Sequence, residues 1–333
     1  MAEEDLDGLS ALFDSARAAD GHSPIGEHKW LDLVQGGRHG FAGFVARDLE
    51  TDKIVGYAQL SLGPTPFSDA ADLTDAAELT DATEPGQLRK SDASQGAAML
   101  QKKNWGLECV VHPQHRDPSG GIAIDLVRAA LLEVATSGGG HVHYWVPKPS
   151  PADEAVAAEA GMAKGRDLLQ MRVGLPVAFA NPKLDLRPFV PGEDEAEWLE
   201  VNARAFAGHP EQGGWNMETL LDREKEPWFD PEGFLLYHAD GRLAASCWTK
   251  VHKDEDPPLG EIYVISVDPS YQGRGLGKAL TLAGLERLYR AGLSSAMLYV
   301  DAGNLAATAL YASLGFKVDH LDRAYVVDVA AQG

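Results

Sequence analysis

Apolar positions recur along the chain at two spacings, and each spacing predicts a different element. Leu6, Leu9, Leu12 and Phe13 share one face of a helix over residues 3–18, and a second helix is expected over 27–34. β-Branched and aromatic runs predict strands at 41–46 and 54–62, then at 105–111, 141–146 and 168–173. Helices at 122–135 and 153–161 separate the last three. The second half starts afresh with a strand at 184–189, helices at 194–205 and 217–222, and strands at 233–237 and 243–251 joined by a hairpin at 239–242. A buried strand at 262–267 then leads to a helix at 278–290 whose apolar residues are Leu280, Leu282, Leu285 and Leu288. A strand at 296–300, a helix at 305–314 and a strand at 316–327 complete the pattern.

One segment breaks it. Between residues 64 and 98 acids recur every third position, at Asp69, Asp72, Asp75, Glu78, Asp81 and Glu84, with too little apolar surface to offset ordering. It reads as a mobile acidic insertion. Residues 174–183 read as a link between domains, placing a first domain at 1–177 and a second at 178–333. The 333 residues suit two ordinary domains. A formal net charge of −21 argues against nucleic acid or an anionic membrane as partner. The acidic N-terminus is the opposite of a targeting peptide, and no apolar run approaches the ~20 residues of a membrane span. Cys109 and Cys247 fall in predicted strands of different halves, so no disulfide is implied; a reducing cytoplasm and a monomer are the expectations. His141 and His143 alternate on a strand without further ligands, and no metal is expected.

The chemistry centres on residues 261–278. A strand, Asp268-Pro269 and a glycine-rich turn lead into a helix whose free N–H groups make an anion site. A phosphate-binding P-loop needs Ser or Thr after Gly277-Lys278 and finds Ala279; a dinucleotide fingerprint needs a third glycine at 278 and finds Lys278. What remains, Gln272-x-x-Gly275-x-Gly277 after Val267-Asp268-Pro269, resembles the pyrophosphate loop of the GNAT N-acetyltransferases, whose ligand is acetyl-CoA. That resemblance implies cofactor contacts at Ile265, Ser266, Val267, Gln272, Gly273, Arg274, Gly275, Leu276, Gly277 and Lys278. The following helix start, Asn304, Leu305, Ala306, Ala307, Thr308 and Ala309, joins them; Asn304 either bonds the pantetheine arm or caps its helix.

The two halves align at their centres. Val111-His112-Pro113 matches Val267-Asp268-Pro269, and Ala160-Gly161-Met162 matches Leu314-Gly315-Phe316. The copies differ where chemistry would occur. Opposite the second half's loop the first half has Arg116-Asp117-Pro118-Ser119-Gly120-Gly121. Pro118 has no N–H, and Asp117 adds a like charge near a phosphate site. Trp105 stands opposite Glu261 and Ala157 opposite Tyr311. The second half is therefore expected to be catalytic.

The second half is similar to the mycothiol synthase family through His209 to Trp215, Trp248 to His252, residues 261–278, Leu298-Tyr299-Val300 and Leu310 to Phe316. The resemblance implies an α/β (α+β) fold of two tandem acyl-CoA N-acyltransferase (GNAT) domains. Each would have a mixed, mostly antiparallel central sheet flanked by helices, with only the second domain catalytic. It implies acetyl transfer from acetyl-CoA to the cysteinyl amine of a cysteinyl-glucosaminyl-inositol. Substrate contacts are implied at Glu27, Glu211, Lys250, Glu261 and Tyr299. Family members can hold a second acetyl-CoA in the first domain, which here would involve Cys109, Val110, Val111, Pro118, Ser119, Gly120, Gly121, Ile122 and Ala123.

Amide formation from a thioester needs a free amine, a polarised carbonyl and a protonated leaving thiolate. Glu261 is assigned as general base and a backbone N–H near Val267 as the polarising donor. Tyr311 is assigned as the acid that protonates the thiolate, with an ordinary core tyrosine as the competing reading. Rival functions are acetylation of another amine, such as a protein N-terminus or an aminoglycoside, and a non-catalytic acetyl-CoA sensor.

Overall fold

A computed structural model describes residues 5–26, 29–30, 33, 40–62, 103–117, 119–178, 184–207 and 215–332. The acidic segment, most of the expected second helix, Glu27, Pro118 and Glu211 lie outside these residues. The chain forms two compact units.

In unit 1, α1 (Asp5–Asp20) precedes an antiparallel run of β1 (Ala42–Arg47), β2 (Ile54–Leu62) and β3 (Asn104–Val111). Next come α2 (Gly121–Thr136), β4 (Gly140–Pro147) and α3 (Pro151–Glu159). Side-chain alternation sends β2 to two cores. Ala58 and Leu60 meet Leu126, Val127 and Ala130 of α2, whereas Tyr57 meets Leu9, Leu12 and Phe13 of α1. The last member of this sheet comes from the far end of the sequence: Asp322 to Val329 of β11 (Lys317–Val329) pair antiparallel with β4.

Unit 2 runs from Asp167 to Leu321 among the described residues. Its strands are β6 (Leu186–Pro188), β7 (Phe234–Ala239), β8 (Arg242–His252), β9 (Leu259–Val267) and β10 (Ser295–Asp301), paired in that order. Leu168 to Gly174 of β5 (Ala163–Gly174), a strand of the first half of the sequence, close the other side of β10. All pairings are antiparallel except β9 with β10. The helices are α4 (Glu195–Ala205), α5 (Met217–Glu224), α6 (Leu276–Arg290) and α7 (Leu305–Ser313).

The apolar stripe foreseen on α6 is buried as expected: Leu280, Leu282, Leu285 and Leu288 pack with Cys247, Ile262 and Leu298 on one face of the sheet. The approach is close enough that a Cβ on Gly284 would stand 2.7 Å from both Cys247 Sγ and Ile262 Cδ1. The opposite face carries an aromatic cluster of Trp198, Trp228, Phe234, Trp248 and Tyr263. No described helix is long and apolar enough to cross a membrane.

Candidate active site

Two irregularities of β9 open the site. Trp248 pairs with Val264 but Thr249 pairs with Ile262, so one extra residue of β9 bulges between them and re-aims the residues that follow. β9 and β10 pair only at Gly260↔Ala296 and Glu261↔Met297, then part. The parted strands face the glycine loop. Gly273 and Gly275 take φ of 73° and 77°, in the left-handed region that L side chains rarely adopt. Gly275 caps α6 with no side-chain hydrogen bond, so the helix begins at Leu276, two residues before the expected start, with its first N–H groups turned to the loop. Arg274 and Lys278 are exposed beside it. An uncapped helix N-terminus, two cations and a split between strands suit a diphosphate with a linear arm. The hydroxyl of Ser266 is committed to Ser246 at 2.7 Å. Of the two roles open for Asn304, capping is present: its Oδ1 accepts from Ala307 N at 2.9 Å.

The polar groups lie on the sheet face away from α6. Glu261 is 0% exposed, and its Oε2 stands 2.7 Å from Nε2 of His252. Its Oε1 makes no hydrogen bond among the described residues. A buried carboxylate oxygen left without a donor is costly, so this one is poised for an incoming N–H. Lys250 is in register with Glu261 and only 2% exposed; its Nζ lies 4.5 Å over the ring of Trp228 and 5.7 Å over that of Tyr263. On β10 the hydroxyl of Tyr299 accepts from Gln170 Nε2 at 2.6 Å, and Gln170 Oε1 in turn accepts from Arg172 Nε at 2.7 Å. Tyr311 is buried against Phe316, and burial holds its hydroxyl well above the ordinary phenol range, so it stays protonated.

Unit 1 repeats the frame with other residues at the matched positions, Trp105 opposite Glu261 and Ala157 opposite Tyr311. β3 and β4 pair from Asn104↔His141 to Leu107↔Tyr144 and then part. A cavity of about 330 Å³ fills the gap, lined by Cys109, Val111, Ile122, Ala123, Tyr144 and Val156. Gly120 caps α2 with φ 69°, one residue later than Gly275 relative to the matched valines. The extra length carries Asp117, whose carboxylate accepts from Ser119 N at 2.7 Å. Hydrogen bonds from Ser119, Gly121 and Gly120 hold its carboxyl below the usual range. It thus draws on the N–H groups a diphosphate would need, and this loop does not fit that group as the second one does. Arg116 is also committed, bidentate to Asp20 at 2.6 and 2.7 Å.

Residues 197–316 match the Acetyltransferase (GNAT) family. A mycothiol acetyltransferase from Acidimicrobium ferrooxidans is 39% identical over 323 residues, 95% of this chain and 92% of that protein. The chain belongs to the mycothiol acetyltransferase family. It is an acetyl-CoA-dependent N-acetyltransferase of the tandem GNAT type. The fold is matched by a GNAT N-acetyltransferase from Sphaerobacter thermophilus, at TM-score 0.67 and 19% identity over 100% of this chain and 95% of that one. A tandem GNAT protein from the clavulanic acid biosynthesis pathway gives TM-score 0.66 at 17% identity, covering 99% and 97%.

Within that family frame, Glu261, Lys250 and Tyr299 come together on one face, and the glycine loop and α7 stand at the parted strands. His252, Gln170 and Arg172 had no assigned role from sequence. The alternation of Gln170 and Arg172 with Leu169, Met171 and Val173 announced a two-faced strand, but not that it joins β10. Burial pushes both thiols, Cys109 and Cys247, up to about 12, the reverse of an activated nucleophile. Among the described residues no group of three or more His, Cys, Asp or Glu could hold a metal ion.

Proposed function

We propose that the chain transfers acetyl from acetyl-CoA to the cysteinyl amine of 1D-myo-inositol 2-(L-cysteinylamino)-2-deoxy-α-D-glucopyranoside, giving mycothiol and CoA by direct attack in a ternary complex. The relatives' name supports the substrate. The observation that carries the chemistry is Glu261, wholly buried with one carboxylate oxygen unspent.

An α-amino group has a reference pKa of about 7.7–8.0 and arrives mostly protonated at neutral pH. Glu261 Oε1 removes its proton, and the freed nitrogen attacks the thioester carbon. A backbone N–H near Val267, just beyond the β9 bulge, supports the developing oxyanion. As the C–S bond breaks, Tyr311 gives its proton to the sulfur, and the second proton shed by the nitrogen restores the phenol. Lys250 and Tyr299 border the base and supply the donors and acceptors that a polyhydroxylated acceptor requires. The diphosphate rests on the N–H groups at the start of α6, between Arg274 and Lys278.

The test is turnover of purified protein with acetyl-CoA and the cysteinyl pseudodisaccharide, read as CoA release and product mass. Glu261→Gln is expected to lower kcat about 10²- to 10⁴-fold, the usual worth of a general base, with acetyl-CoA binding unchanged. Acetylation of an aminoglycoside or a peptide N-terminus instead of the cysteinyl amine would replace this reading. Binding of acetyl-CoA with no turnover on any amine would favour the sensor.

A further inference from the structure

Acetylating an ammonium group releases a proton. The nitrogen loses two protons as its C–N bond forms and the C–S bond breaks; the sulfur regains one. One proton per turnover must therefore reach water. Glu261, at 0% exposure, has no direct route to solvent.

His252 supplies one. It is the last residue of β8, its side chain is 18% exposed, and its Nε2 lies 2.7 Å from Glu261 Oε2. The exposed turn beyond it carries Lys253, Asp254, Glu255 and Asp256. We infer that His252 is the proton exit of this site. This rests on Glu261 being the base. The carboxyl takes the amine proton on Oε1, a turn about its Cγ–Cδ bond brings that proton to Nε2 of the neutral imidazole, and the imidazolium releases the proton on its outer nitrogen, Nδ1, to water. Imidazole suits the task because it can take a proton on one ring nitrogen and release one from the other. Among the described residues the charged and titratable groups about this face include Lys250 on β8, held over Trp228 and Tyr263, Glu261 on β9, Tyr299 on β10, held by Gln170, Arg172 on β5, which donates to Gln170, and His320 on β11, whose ring lies 6.4 Å from that of Tyr299 and whose Nδ1 meets Asp319.

A purely structural His252 would only hold the carboxylate in place, and glutamine can do that. A relay needs a side chain that titrates. His252→Gln is therefore expected to lower kcat about 10- to 100-fold, at or below the low end of general acid–base contributions, while its acetyl-CoA titration stays within about twofold of wild type. In His252→Ala, kcat should rise with added imidazole at constant pH, an effect absent from the wild type. Wild-type kcat in His252→Gln, or no response of His252→Ala to imidazole, overturns the proposal. The acetyl-CoA titration reports folding in both variants. Failure of the underlying reading shows separately, as wild-type kcat in Glu261→Gln.

Discussion

In the proposed mechanism one side chain, Tyr311, serves packing and chemistry together. Its ring fills the core beside Phe316, while burial keeps the hydroxyl protonated at any working pH. Phenylalanine preserves the first role and removes the second. Tyr311→Phe should keep the acetyl-CoA affinity and the urea midpoint and lower kcat roughly 10- to 100-fold, consistent with loss of a general acid whose leaving group is already a fair thiolate. Unchanged kcat would make Tyr311 a core residue only. At this scale the sequence was most readable where a residue type has few reasons to be present. Gly273 and Gly275 are required by positive φ, whereas Glu261 in its apolar strand reads as a salt-bridged carboxylate until the family resemblance singles it out. His252 did not stand out, because a histidine at a strand end is ordinary until the carboxylate 2.7 Å away is seen.

Among the elements, α6 is constrained at Gly284, where it comes close against the sheet. Gly284→Ala would press a methyl onto Cys247 and Ile262, and overpacking of that kind costs typically about 1–3 kcal/mol. A lower urea midpoint with an unchanged slope is the expected result. The start of α2 differs from that of α6 in one respect that binding can read. With Asp117 capping its N–H groups, unit 1 should hold no acetyl-CoA, and calorimetry should count one per chain. Asp117→Gly, which frees those groups, should raise affinity at a second, weaker site. Two equal sites in the wild type would contradict this. Periodicity located these helices well, and their boundaries moved by a residue or two where a left-handed glycine, not the apolar pattern, sets the cap.

For the whole molecule, the informative strands are β5 and β11. A reading that cuts the chain near residue 177 follows local pattern, but local pattern names a strand and not its partner. Gln170 and Tyr299 are 129 positions apart, and only the assembled sheet pairs them. A fragment of residues 178–333 lacks the strand that closes β10, leaving Ser295 to Asp301 as an open edge and Tyr299 without Gln170. It should aggregate or fail to bind acetyl-CoA. A chain stopped after Leu321 retains all the described strands of unit 2 and should still bind, while limited proteolysis of its first 166 residues accelerates. Equal protease resistance in that chain would show that Asp322 to Val329 add nothing to unit 1.

The same pairing bears on how the chain is made. Synthesis runs from the N-terminus at roughly 5–20 residues per second, and domains usually fold in the order they emerge. Here β4 cannot complete its pairing until Asp322 to Val329 have been made, long after β4 itself and after all of residues 167–321. Residues 167–321 can assemble while unit 1 still shows an unpaired edge to chaperones and other nascent chains. The half that is made first is the half that is finished last.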